Sequence, residues 1–241
     1  MFEWYWVFVF IAVWFHLSVM SVSLFLHRYI GHRYYEMHKS LQFVFRFILW
    51  ANERLSPGWV ESYVTKHMKH HAYSDTEKDP QSPHHKTLTE MCQPFVYDYS
   101  DVKKYAPHAK TPDDWMQIYM HEKYQKFGSV FLYVLCFVLF GFLGFSIFFL
   151  WRKLTHRWIG VFFGDWIVHK FGFTYAGNKG SDKSVILFPI GILLSGEDLH
   201  ANHHNRPQDV KFSQRWFEFD LGWAYINIFE KLGLITFRNK Q

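Results

Sequence analysis

Nine of the 16 histidines stand at spacings that can hold metal ions. His27 and His32 bracket Arg28-Tyr29-Ile30-Gly31, His67-Met68-Lys69-His70-His71 follows, and His200-Ala201-Asn202-His203-His204 closes the set. His169 stands alone, four residues after Asp165 in an apolar stretch. A neutral imidazole is a good donor to iron, copper, zinc or nickel. The eight clustered histidines carry more donors than one ion uses, so two ions, or one ion with spare ligands, are the simplest readings.

The elements carrying these residues follow from helix geometry. Residues at i, i+3 and i+4 share a face, so His67, His70 and His71 can converge, as can His200, His203 and His204. Members at i+3 and i+4 diverge by about 100°, which lets neighbouring histidines serve different metals. His27 and His32 lie about 140° apart on an ideal helix, so both reach one site only if the helix ends or distorts near Gly31. Asp165 and His169 share a helix face. A carboxylate at membrane depth needs a cationic partner: the metal carried by His169, with an ion pair to Lys170 or Arg157 as the competing reading. A lone H-x-x-H-H would often be a solvated surface, but two copies plus H-x-x-x-x-H make coincidence a poor account. His16 is expected to meet a hydroxyl or carbonyl inside the membrane. His38, His84, His85, His108, His121 and His156 read as solvated or interfacial.

Composition tells what must position them. The 241 residues are 22% aromatic, with 27 Phe and 11 Trp, yet mean hydropathy is −0.13. Polar material is therefore segregated from an apolar base. The expected fold is all-α: one domain, 1–241, with spans at about 4–26, 128–151 and 158–176 and a cytoplasmic helical cap at about 27–127 and 177–241. The first span lacks a basic leader and a small-residue cleavage site, so it reads as a retained anchor. Leu41–Trp50 and Val185–Leu194 are too short to span and are expected to be interfacial amphipathic helices. Two crossings after the second cluster return the third to the same side. The region 28–126 holds 14 Lys and Arg, the tail from Lys170 holds nine, and an expected hairpin at Arg152–Arg157 holds three, which favours a cytoplasmic active face. The net charge of +5 comes with no nucleic-acid motif. Cys92 and Cys136 have no metal spacing, and Cys136 reads as a core residue.

At H27RYIGH32, H67MKHH71 with the following AYSDTEKDP, and G196EDLHANHH204 with the downstream F212SQRWFEFD220, the chain resembles the membrane fatty acyl desaturases, particularly the stearoyl-CoA (Δ9-type) branch. The resemblance covers nearly the whole chain. It implies a non-haem centre of two iron ions held by His27, His32, His67, His70, His71, His169, His200, His203 and His204. Asp165 stands where the family usually has Asn reaching iron through water, so a carboxylate ligand is expected there, direct or through water. The family usually has four spans, two of them before the first box; here 26 residues precede His27, room for one, which gives three or four spans in all. No H-P-G-G haem motif occurs, so electrons are expected from a separate ferredoxin, rubredoxin or cytochrome b5 type of protein.

The implied reaction is O2-dependent desaturation of a fatty acyl thioester, on CoA or an acyl carrier, at a lipid membrane. Phe15, Val19, Tyr63 and Val161 are the candidates for lining the acyl channel, against ordinary helix packing. Arg54, Lys66 and Lys69 are candidates for meeting headgroup phosphates, against a solvated cationic face. The rival readings are a di-iron hydroxylase or acetylenase, which only substrate placement separates, and a membrane metal transporter or metal-binding protein.

Overall fold

In the computed structural model one long helix organises the protein, α1 (Trp4–Gly31), apolar and long enough to cross a bilayer. The structure describes residues 2–53, 58–93, 95, 98–155, 158–175, 177, 179–189 and 192–238. Within α1 a 3-10 turn (Trp4–Trp6) leads into α-helix (Val7–Met20), which widens to π-helix over Ser21–Gly31. A π-helix closes i→i+5 bonds, and the His32 amide donates to the His27 carbonyl at 2.9 Å. Two histidines five apart thereby come to one side, their rings 4.9 Å apart. This is the distortion that the spacing required.

The chain then gives β1 (Tyr35–Met37), α2 (Lys39–Ala51), α3 (Trp59–Tyr73), α4 (Leu88–Met91), α5 (Tyr99–Tyr105), the π-helix α6 (Met116–Lys123) and α7 (Phe127–Thr155). α8 (Ile159–His169), α9 (His200–Asn205), α10 (Leu221–Lys231) and β2 (Ile235–Phe237) complete it. The molecule is mostly helical, with 62% helix and 4% strand. The strand is an antiparallel β1–β2 pair that the all-α expectation did not contain, with Tyr35 opposite Phe237. Three-residue strands are too short to show alternation in a sequence. The apolar run Leu41–Trp50 is helical as expected, and buries Leu41, Phe45, Ile48 and Leu49. Val185–Leu194 is not: Ile186 bridges to Phe173, and only a short 3-10 turn (Ile192–Leu194) follows. Pro189 lacks the amide that a helix interior needs.

The largest departure lies in α7. Its apolar run is long enough to span, but Gly141, at φ 69° and ψ −169°, reverses the chain. In a straight helix Ser129 and Arg152 would be about 35 Å apart. Instead the Arg152 guanidinium donates to the Ser129 hydroxyl at 3.0 Å, and the Tyr133 and Phe149 rings lie 5.3 Å apart. The arms 127–140 and 142–155 form a hairpin against the first half of α1, where Phe2 donates to the Leu139 carbonyl and Phe10 packs on Phe140 and Phe148. A turn therefore stands at Gly141, and the expectation that Arg152 opens a hairpin loop is corrected. Arg152 is no loop residue; it is 4% exposed and donates to Asn52 Oδ1, the Ala51 carbonyl and Ser129. Arg54, His156, Arg157 and Ala176 lie outside the described residues.

Two cores result. Leu24, Phe25, Phe45, Leu49, Val64 and Ile226 pack beneath the histidines. Trp14, Ile48, Leu132, Cys136 and Phe148 pack where the hairpin meets α1 and α2. The hairpin has a direct test. Tyr133→Cys with Phe149→Cys should be joined in the membrane by a short bis-thiol reagent and read by peptide mass spectrometry. A continuous α7 would hold the pair about 24 Å apart and give no cross-link.

Candidate metal centre

The nine histidines meet in two adjoining groups. His27, His32, His67, His71 and His203 form one, and His70, His169, His200 and His204 the other; within each, the potential ligand atoms all lie within 4.8 Å of one another. α3 serves both: His67 and His71, one turn apart, face the first group, and His70 faces the second. α9 does the same in reverse, with His203 in the first group and His200 and His204 in the second. α1 supplies His27, the residue just after it supplies His32, and the last residue of α8 is His169. The rings of His71 and His204, one from each group, are 4.5 Å apart.

Hydrogen bonds aim the rings. His27 Nδ1 lies 2.9 and 3.0 Å from the Glu197 carboxylate oxygens, and His70 Nδ1 lies 2.8 Å from Asp79. His169 Nδ1 lies 2.8 Å from Asp75, and His204 Nδ1 lies 3.3 Å from the Ser74 hydroxyl, which donates to Asp182. A carboxylate at Nδ1 takes the ring proton there and leaves the Nε2 lone pair facing inward. The carboxylates are held in turn. Asp79 accepts from the amides of Asp75 and Gln81, and Asp75 from the Ser82 hydroxyl and the Lys183 amide. Glu197 accepts from the Ser23 hydroxyl, and Asp182 from the Ser184 amide and hydroxyl.

The donors suit metal ions on geometry as well. Nε2–Nε2 separations are 3.1 Å for His27–His203, 2.9 Å for His32–His67 and 3.1 Å for His67–His71. In the second group they are 3.2 Å for His70–His204 and 3.0 Å for His169–His200. Nitrogens held about 2.1 Å from a shared ion stand about 3.0–3.4 Å from each other. Burial, followed by the neighbouring imidazoles, holds His32, His67, His70, His200, His203 and His204 well below the ordinary histidine value. The same causes, burial foremost, take His71 down to about 3. Burial works to raise Asp75, but bonds from His169, Ser82 and the Lys183 amide bring it below its usual range. Glu197 likewise ends low: burial is outweighed by the charge and hydrogen bond of His27. Asp79 differs: burial raises it to about 7 against the amides of Gln81 and Asp75. Neutral imidazoles backed by ionised Asp75 and Glu197 are a form that a cation takes up.

The other sequence candidates are placed as follows. Asp165 is in neither histidine group; its Oδ1 accepts from Gln81 Nε2 at 2.5 Å. Lys170 does not meet it in the contacts seen, and lies over the Trp166 ring. Tyr63 stacks on the first group, its ring 6.2 Å from His67 and nearly parallel. Phe15 packs on Phe163 of α8 at 5.9 Å, and Val19 and Val161 are half-buried on α1 and α8. Lys66 donates to the Met91 carbonyl and Lys69 pairs with Asp101. His16 meets the Leu193 carbonyl and the Tyr225 hydroxyl, both at 2.8 Å, as expected. His84 and His85 are exposed, but each bonds a backbone carbonyl near the centre, of His169 and Asp75 respectively. His121 was expected to be solvated and is instead fully buried in α6.

Sequence reasoning missed the layer behind the ligands. Asp75 and Asp79 lie in AYSDTEKDP and Glu197 in GEDLH, so the motifs contained them without showing their work. Arg28, between the first two histidines, was missed too. It is fully buried, pairs with Asp220 at 3.1 Å and lies 3.9 Å over the Phe212 ring.

No family model matches the chain. It is 28% identical over 240 residues to an acyl-CoA C20 Delta5-desaturase of Anemone leveillei, covering 98% of this chain and 74% of that protein. It is 26% identical over 225 residues to an sn-1 stearoyl-lipid 9-desaturase of Anabaena variabilis, covering 90% and 78%. Against an sn-2 palmitoyl-lipid 9-desaturase of Nostoc sp. (strain 36) it is 28% identical over 225 residues, covering 89% and 75%. The chain is thus a helical protein with histidines gathered for metal, similar along most of its length to enzymes of the membrane fatty acyl desaturase family.

Two outcomes follow. Removing the proton acceptor behind His70, by Asp79→Ala, should weaken metal binding about 10–100-fold. His70→Ala should do more, and His84→Ala much less; metal content after dialysis against a graded chelator reads all three. The second outcome concerns pH. A histidine whose folded value is depressed binds its proton more readily in the unfolded chain, so its stability contribution is complete above about 6.5 and is lost as pH falls. The metal-free protein should therefore unfold progressively more easily from pH 6.5 downward, in the window set by His71 at about 3. A melting temperature flat from pH 7 to pH 4 would contradict this.

Proposed function

We propose that the protein is a di-iron enzyme that uses O2 to introduce a double bond into a fatty acyl chain, carried as a thioester. Desaturase activity itself is the property of its relatives and of its family. The observation that carries the finer reading is the division of nine histidines into groups of five and four with inward Nε2 atoms. His27, His32, His67, His71 and His203 would hold one iron, and His70, His169, His200 and His204 the other. Bound iron would supply the reduction of O2 and the removal of hydrogen from unactivated methylenes.

The rest is positioning by this chain. Carboxylates at Nδ1 fix the imidazoles before any metal arrives, so little reorganisation is left for the reaction. Phe212 lies 4.4 Å from the His203 ring and 5.6 Å from His27, and shields that flank from water. Tyr63 on His67, and the contact of Phe15 with α8, place apolar surface between the first group and the membrane base. With Val19 and Val161 these residues are our candidates for the acyl channel, which must hold two adjacent carbons beside the metals. The base comprises α1 and the two arms of α7 that meet at Gly141, with α8 beside α1 through Phe15 and Phe163. Its uncharged tip lies beside Phe2, far from the basic cap, which favours a cytoplasmic active face. Asp165 would act beside the second group through Gln81, whose side chain donates to it and whose own amide donates to Asp79.

Expression in a host with saturated acyl chains, followed by gas chromatography–mass spectrometry, should reveal new monounsaturated chains. His71→Ala and His203→Ala should abolish them. Hydroxylated chains in their place would assign a hydroxylase, and unchanged lipids would overturn the reading. Asp165→Asn should keep the fold and metal content but shift the rate or the redox potential; behaviour identical to the parent would remove Asp165 from the site.

A further inference from the structure

Electron balance requires a partner, if the desaturase reading holds. Reducing O2 to two waters consumes four electrons and four protons. A –CH2–CH2– unit that becomes –CH=CH– breaks two C–H bonds and supplies two of each. The other two electrons and two protons come from outside, and the electrons must reach a buried centre through the protein surface.

The surface over α9 is built for that delivery. A concavity of about 300 Å³ is lined there by Tyr175, Lys179, Asn202, Asn205, Arg206 and Arg215. Lys179, Arg206 and Arg215 are exposed. The acids nearby offset little of this charge. Asp209 is 3.9 Å from Arg206, Glu218 is buried beneath, and Asp182 is engaged with His204. Trp216 stands beside Arg215 with 95% of its surface exposed, next to the exposed Phe217. An exposed tryptophan among arginines is the composition of a protein-binding hot spot.

Behind this face a short hydrogen-bonded path leads to the ligands. The amides of Gln214 and Arg215 donate to Glu218 Oε2 at 2.6 and 3.0 Å. Asn202 Nδ2 donates to the same oxygen at 2.9 Å, and Gln214 Nε2 to the Asn202 carbonyl at 3.0 Å. Asn202 directly precedes His203. Lys179 donates to the carbonyl of Asn205, directly after His204, at 3.0 Å. We propose that the Lys179–Arg206–Arg215 face, with Trp216 as its anchor, docks an acidic one-electron carrier protein and passes electrons to the centre through His203. Aromatic and basic residues also suit anionic lipid headgroups. A headgroup, however, has no need of a buried path that ends beside two ligands.

Binding is measured with the full chain, metal-loaded in detergent, against three acidic probes: a [2Fe–2S] ferredoxin, a rubredoxin and the haem domain of a cytochrome b5. At least one should bind, more weakly as salt rises. Lys179→Glu with Arg215→Glu should raise its Kd about tenfold, and Trp216→Ala should raise it comparably. Lys110→Glu, in a different cavity, should leave it unchanged, and metal content should be constant throughout. The proposal is overturned if no probe binds, if the reversals leave Kd within about twofold, or if Lys110→Glu weakens binding equally. It is also overturned if the variants lose only co-purified anionic phospholipid, which would assign the face to lipid. Acyl product from chemically reduced enzyme, in a single turnover with O2, tests the desaturase reading separately. Its absence would sink that reading while the Kd series still stands.

Discussion

The constraint on which the rest depends is that basic nitrogens must be packed together without protons. Nε2 atoms stand about 3 Å apart across both histidine groups, so a second positive charge on any ring is strongly opposed. Neutral rings still have to point their lone pairs inward, and imidazole has two tautomers. Glu197, Asp79 and Asp75 choose the tautomer for three of the rings, and Asp182 does so for His204 through the Ser74 hydroxyl. They also bring negative charge beside a site that will hold cations. A buried carboxylate is costly unless it is paired and hydrogen-bonded, which accounts for the serines and backbone amides that surround each one. Metal, imidazole and carboxylate are therefore one unit, and the fold around them exists largely to keep that unit dry and aligned.

Arg28 is the cation that this layer does contain. It lies between the two histidines of the first box, pairs with Asp220 and donates to the Ser195 carbonyl. The chain had to leave room for it. A Cβ at Gly222 would run into the guanidinium and the Ser195 carbonyl, and one at Gly196, whose φ is +88°, into Arg28 and Asp220. Breaking such a buried pair from one side costs about 3–5 kcal/mol. The pair ties the end of α1 to the start of α10 and to the turn before α9, so the first and third histidine clusters are held in register by something that binds no metal.

How much of this could be read from the sequence depended on distance along the chain. His67 with His71, and His200 with His204, are helical neighbours, so spacing alone revealed the shared face. The division of adjacent histidines between two groups follows from the same geometry. His27 and His32 signalled a distortion, and the π-helix over Ser21–Gly31 is its form. By contrast, His169 and its Asp75 are 94 residues apart, and nothing local to either reveals the pairing. Hydropathy misread the region 128–151 for a physical reason. An unbroken apolar run reports that a segment is greasy, not that it is straight, and Gly141 among phenylalanines carries no polar signal of a turn. The same error put Arg152 in a loop, because a charge at the end of an apolar run looks like an exit to water.

Arg152 shows instead how the membrane base reaches the active centre. At the level of Trp14 and Ser18 of α1, Arg152 binds Asn52, the Ala51 carbonyl and Ser129. Asn52 in turn accepts from Trp14 and donates to Ser18. One polar knot thus joins α1, both arms of α7 and the end of α2. Gly128 belongs to it by what it lacks, since a Cβ there would collide with the Trp50 carbonyl. In apolar surroundings unpaired polar groups cost far more than in water, so the knot admits few alternative registers. It fixes where α2 ends, at Ala51, ahead of the helix that begins at Trp59 and presents His67, His70 and His71. At its upper end α1 carries His27, and at its middle it carries Trp14 and Ser18, so a single helix sets the metal centre and the base to a common ruler. The nearly uncharged base therefore helps to determine the geometry of the polar site above it.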